Sequence, residues 1–91
     1  MDSHDSSESA QAASIIREFI TKEFLYGRSD VRLTSDFRLI DQGIIDSMGI
    51  FRLITFLETT FGKKLELAEI EYENFQTISD IAALVTRSEQ S

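Results

Sequence analysis

No cysteine occurs among the 91 residues, so the chain forms no disulfide, offers no thiolate to a metal and has no thiol nucleophile of its own. If it takes part in thiol chemistry, the sulfur has to be added afterwards. Histidine is nearly absent as well. The single copy, His4, sits in a polar N-terminal stretch whose only large apolar side chain is Met1. It reads as a solvated residue, which leaves histidine-based catalysis without its base. Long hydrophobic runs are also missing. Uninterrupted apolar stretches extend over only a few residues, such as Ile44-Ile45 and Ile50-Phe51, whereas a membrane-crossing helix needs about 20. The N-terminus lacks the basic-then-apolar order of a secretory signal, which places the protein in the cytoplasm. Proline is absent altogether.

Basic residues are in the minority. Sixteen acidic residues against nine basic ones give a net charge of −7. A surface of that sign repels phosphate backbones and anionic headgroups, so nucleic acid and membranes are poor partners and basic patches on proteins are better ones. Hydrophobic residues make up 42% and charged residues 27%, within the range of a soluble globular domain. A chain this short supports one core and therefore one domain, by default a monomer.

Residues 1–9 carry too little apolar surface to offset the entropy of ordering and are expected as a flexible tail. A domain over 10–87 and a frayed end over 88–91 follow. From about Ala10 to Leu25, Ile16, Phe19, Ile20 and Phe24 recur at spacings of three and four, with Ala12 and Ile15 close by. This predicts a first helix, with Gly27 as its stop. Residues 28–46 show no sustained period but contain Val31, Leu33, Phe37, Leu39, Ile40, Ile44 and Ile45. They predict a long loop lying across helix faces, with a turn at Gly43.

The cleanest stripe begins at Ser47: Ile50, Leu53, Ile54, Leu57 and Phe61 fall at i, i+3, i+4, i+7 and i+11. It predicts the central helix of the core, ended by Gly62. Leu65, Leu67 and Ile70 are expected to fill core gaps, Tyr72 to Phe75 to form one short turn, and Thr77 with Asp80 to cap a last helix through Ile78, Ile81, Ala82 and Val85. No alternating strand pattern and no repeat competes. The predicted fold is all-α, a small bundle of three main helices plus one short helix, with the long loop between helices 1 and 2.

The informative segment is Ile40-Asp41-Gln42-Gly43-Ile44-Ile45-Asp46-Ser47-Met48, which places a serine hydroxyl where the long loop meets the strongest helix. Taken alone, Asp46 or Ser47 also reads as a helix cap, and Asp-Ser pairs recur at Asp2-Ser3 and Asp5-Ser6. The string Leu39 to Met48, followed by Glu58, Phe61-Gly62 and the later run Glu73 to Ile78, closely resembles the acyl carrier protein family over about Ile15 to Val85. The resemblance implies that a transferase using coenzyme A and Mg2+ joins 4'-phosphopantetheine to Ser47, and that an acyl or aminoacyl group then rides on the arm's thiol as a thioester. It also implies a cap and transferase-recognition role for Asp46, and three kinds of enzyme partner: the phosphopantetheinyl transferase, an acyl- or aminoacyl-activating ligase, and a downstream transferase or synthase.

Helix counting makes Phe51 and Ile54 the next-turn neighbours of Ser47, with Ile54 towards the core and Phe51 towards the edge. Met48 and Phe51 form a candidate contact patch beside the arm, unless the long loop covers them. Phe56 is expected to pack on the loop, for example on Phe37. Carriers of fatty-acid synthesis present a strongly acidic second helix. This one carries Arg52, has only Glu58 as an acid, and shows Gly49, Thr59 and Thr60 at positions often charged in those relatives. That departure favours a specialised carrier for an amino acid, hydroxy acid or secondary-metabolite building block, with Arg52 contacting the partner.

No enzyme chemistry is expected of the chain itself. The carboxylates of Asp36, Asp41 and Asp46, five residues apart, lack the alternating ligands and central glycine of a calcium loop. No glycine-rich phosphate loop is present. No catalytic residue and no metal site is assigned. The competing class is a non-catalytic helical adaptor that binds protein partners through an acidic surface. A small DNA-binding domain is opposed by the charge.

Overall fold

The computed structural model describes residues 3–26, 28 and 30–87. Helix α1, Ser3–Ile20, runs into a π-helical turn, Thr21–Leu25. Helix α2, Ser47–Phe61, follows the long loop; two 3-10 turns, Leu67–Glu69 and Tyr72–Phe75, then lead to α3, Ile78–Arg87. No strand occurs among the described residues. The fold is the all-α bundle expected, with a second 3-10 turn added.

Apolar periodicity explains which faces turn inward. On α2, Leu53 and Leu57 are fully buried and Ile54 nearly so, while Ile50 and Phe61 lie half-buried at the margins of the stripe. Helix α3 buries Ile78, Ile81, Ala82, Leu84 and Val85, and α1 buries Ala12, Ile16 and Ile20. The closest backbone approach is between α1 and α3, not around α2 as its stronger stripe suggested. Small buried residues on each, Ala12 and Ala82, let that pair come together, whereas α2 meets the core through longer side chains. The ends follow the expected chemistry: Gly62 takes a left-handed φ of 65°, and Thr77 Oγ1 accepts a hydrogen bond from the Asp80 amide at 3.0 Å.

Residues 1–9 were expected as a flexible tail; the backbone is helical from Ser3. The absence of large apolar residues there measures burial and says little about a helix that continues outward from an anchored segment. Gly27 was the expected stop. The left-handed position is Tyr26, with φ 42°, and Gly27 lies outside the described residues, as do Met1, Asp2 and 88–91. Leu67 was expected in the core but is 86% exposed, because its 3-10 turn is held by a reciprocal Glu66–Glu69 cap instead of by packing.

The long loop is pinned at several points. Leu33, Leu39 and Ile45 are buried in the core. Arg17 Nε of α1 donates to the Leu33 carbonyl at 2.9 Å, and the Ser79 amide of α3 donates to the Ser35 carbonyl at 3.0 Å. The tightest anchor is Gln76. Its backbone carbonyl accepts from Leu39 N at 2.7 Å, and its side-chain oxygen accepts from both Ile40 N and Asp41 N at 3.1 Å. Gln76 is the one buried polar side chain among the described residues, and it is satisfied by the loop it holds.

Asp41 extends this clip at the surface. Its carboxylate accepts from the Tyr72 hydroxyl and from Arg38 Nε, the latter at 2.7 Å. The Tyr72 hydrogen bond first, and Arg38 second, hold its carboxyl below the usual carboxylate range. A carboxyl lowered on folding contributes stability above its unfolded pKa, and that contribution fades as pH falls through the folded value. Below pH of about 4, the clip is therefore expected to loosen. The Tyr72 ring resonances should shift as Asp41 takes up its proton. A Tyr72 signal indifferent to acid, or equally responsive in Asp41→Asn, would contradict this.

Candidate functional site

The segment Leu39 to Ile45 folds back on itself before α2 begins. Gln42 N donates to Arg38 O at 2.9 Å, Gly43 N to Ile40 O at 3.0 Å, and Ile44 N to Leu39 O at 2.9 Å. Gly43 has a φ of 77°, a turn that an L side chain adopts only with strain. Ile45 then plunges into the core. The result is a loop with little freedom, and it delivers Asp46 to the head of α2 at one place.

Asp46 is the cap. Its backbone is extended, with φ −106° and ψ −172°, and its Oδ1 accepts from Gly49 N at 2.8 Å while its carbonyl accepts from Ile50 N at 3.0 Å. Ser47 is thus the first helical residue, and its side chain is exposed. Sequence alone left Asp46 and Ser47 as rival caps; the geometry gives that duty to Asp46. What the arrangement offers is a serine hydroxyl in solvent at a helix N-terminus, where backbone N–H groups and the helix dipole favour a bound negative charge.

Met48 is 71% exposed and Phe51 64% exposed, so the loop does not cover them. Both lie on the solvent side of α2 within one turn of Ser47. The two charges of this helix are engaged inside the chain. Glu58 accepts from the Leu65 amide at 2.9 Å. Arg52 forms an ion pair with Glu23 and lies over the Phe24 ring, its guanidinium carbon 5.1 Å from the ring centroid. Arg52 was expected to face a partner. Half of its side chain is exposed, and its charge is shared with Glu23.

Phe56 stacks on Phe19 of α1, with centroids 3.9 Å apart and planes 12° from parallel. It does not pack on Phe37 in the manner expected. Periodicity places a residue on a face and cannot tell which neighbour covers that face. Gly49 is corrected too: it was read as a surface position lacking a charge, yet it is buried beneath Phe24. Gln76 and Glu23 were not singled out by the sequence, and Phe24 was read only as part of the first helix's apolar face. A polar residue that ends up buried leaves no periodic signature.

Comparison with known proteins agrees with this geometry. The family described as "Phosphopantetheine attachment site" matches residues 14–85. The D-alanyl carrier protein of Lacticaseibacillus casei (strain BL23) is 31% identical over 65 residues, covering 71% of this chain and 80% of that protein. The probable acyl carrier protein PigG of Serratia sp. (strain ATCC 39006) is 37% identical over 68 residues, covering 75% of this chain and 77% of that protein. The solved structure of KstB-PCP in its apo form superposes with a TM-score of 0.74 at 33% identity, covering 89% of each chain.

Proposed function

This chain belongs to the family of phosphopantetheine attachment-site domains, and from that premise we propose that Ser47 is the residue to which its arm is joined. Family membership makes it a carrier of acyl or aminoacyl groups that bears a 4'-phosphopantetheine group. Carriers of this family are acted on by a phosphopantetheinyl transferase and by ligases or synthases. The arm supplies the thiol that a cysteine-free chain lacks, and cargo is held on that thiol as a thioester.

The observation that carries the Ser47 reading is its exposed hydroxyl at the first position of α2, relieved of capping by Asp46. Such a hydroxyl is free to attack the pantetheine-side phosphorus of coenzyme A, losing its proton as the pyrophosphate bond breaks and 3',5'-ADP leaves, and the phosphodiester formed sits where the helix dipole favours an anion. Asp46 holds the turn and adds a carboxylate for the transferase to contact. Met48 and Phe51 present an apolar contact beside the arm to partner enzymes, with Arg52 at its edge.

For cargo we favour an aminoacyl group. The likeness to D-alanyl carrier proteins supports it, as does an α2 with little net charge of its own. A small acyl group is the second reading, supported by the likeness to PigG. No helix among the described residues is long and apolar enough to cross a membrane, and work in the cytoplasm belongs to the same proposal.

The test begins with intact mass after incubation with coenzyme A and a broad-specificity phosphopantetheinyl transferase. One added phosphopantetheine is expected. The modified protein is then offered to aminoacyl- and acyl-activating ligases, and loading by an aminoacyl-activating enzyme is the expected outcome. Folded protein that gains no mass would favour the adaptor reading.

A further inference from the structure

We propose that Phe24 and Gly49 position the Ser47 hydroxyl, by setting how closely the first turn of α2 settles on the π-helical turn that ends α1. The inference rests on the reading of Ser47 as the attachment site. It concerns two residues whose contact with one another the sequence did not bring forward.

The contact is close on every side. A Cβ built on Gly49 would lie 2.8 Å from Phe24 Cε1, 3.2 Å from Ile45 Cγ2 and 3.3 Å from Asp46 Oδ1. The first distance is one that real side chains essentially never show, and the other two are tighter than most. The Phe24 ring has little room to yield. Phe19 meets it edge-on with centroids 6.1 Å apart, and Arg52 lies over it while paired to Glu23. The Gly49 amide is also the donor that Asp46 caps. One residue therefore joins the aromatic seat, the buried end of the loop and the cap, two positions after Ser47.

An alanine at 49 would have to move the ring, the cap carboxylate or the turn itself. Moving the cap or the turn displaces the residue between them. Group transfer needs the attacking oxygen placed closely, and a shift of about 1 Å can cost on the order of 100-fold in rate. Phe24 and Gly49 act through Ser47 and touch neither substrate nor reacting atoms, so they are positioning residues.

The experiment measures kcat and KM for arm transfer to the full chain by a broad-specificity phosphopantetheinyl transferase, alongside a thermal melt of each variant. Gly49→Ala is expected to lower kcat about tenfold with KM for the carrier little changed. Combining it with Phe24→Leu, which makes room for the added methyl, should restore kcat to within about threefold of wild type. Phe24→Leu alone, which leaves the space unfilled, should fall between the two. A purely structural contact would change the melt and leave kcat alone. Wild-type kcat in Gly49→Ala, or no restoration in the double variant, overturns the proposal. If Gly49→Ala does not fold, Phe24→Leu decides: unaltered kcat there overturns it equally. Failure of the Ser47 reading is separately visible, since wild-type protein would then gain no arm or would keep gaining it in Ser47→Ala.

Discussion

Exchanging Ser47 for alanine will leave a folded protein that takes up no phosphopantetheine. Intact mass after transferase treatment should stay at the unmodified value, a loss to background, while the wild type gains one arm. The argument that this loss is chemical and not structural comes from the cap. Asp46, not Ser47, accepts the Gly49 amide, and Ser47 is an exposed first-turn residue. Removing its oxygen should therefore change stability by no more than about 0.5 kcal/mol. Asp46→Ala offers the contrast. It deletes the cap and should cost about 1 kcal/mol, lowering the melting temperature by about 4–8 °C for a domain of this size, while leaving a modifiable hydroxyl in place. The chain holds eleven serines, so an arm that persists in Ser47→Ala would direct attention to another of them and remove the assignment made here.

The second large effect falls on stability. Gln76→Ala withdraws the acceptor shared by the Ile40 and Asp41 amides and leaves two part-buried donors facing a gap. At about 1–3 kcal/mol for a fully buried unsatisfied group, and less for these part-buried donors, the expected loss is about 2–4 kcal/mol, or about 8–32 °C in melting temperature. Hydrogen exchange should localise it: the Ile40 and Asp41 amides lose protection first, and the interior of α3 keeps its own. A variant that melts with the wild type would show that the loop is held by its buried leucines and isoleucine without this clip. Because the clipped segment delivers Asp46, arm transfer in the variant should also slow.

How far these residues were legible beforehand depends on what kind of signal each leaves. Spacing of three and four located α2 and α3 and their caps, since one-sided burial writes itself into a helix at that period. The exposed serine at the head of α2 was legible from the string Leu39 to Met48, in which a turn, a cap and a hydroxyl follow in order. Burial without periodicity was not legible. Gln76 stands in the polar run Glu73-Asn74-Phe75-Gln76-Thr77 and looks like its neighbours; only the loop folding over it makes it interior. Gly49 inside a helical stretch reads as a surface position without a charge. Its use is steric, and the ring that makes it so comes from 25 residues upstream. Leu67 and Phe56 show the converse: apolar character predicted burial for one and the wrong cover for the other, because the partner surface is decided by tertiary packing.

The π-helical turn at Thr21–Leu25 has a consequence of phase. Relative to the α-helix before it, such a turn takes up one residue more per circuit and so rotates everything beyond it by one step. Phe24 faces Gly49 within that offset stretch. Deleting one residue between Thr21 and Phe24 would allow plain α-helical winding and leave the aromatic ring pointing in nearly the same direction, because the turn absorbs one residue's rotation of about 100°. Chains of this kind that differ by a single residue at the close of their first helix would then keep an aromatic on the same side, the longer one by winding its extra residue into such a turn.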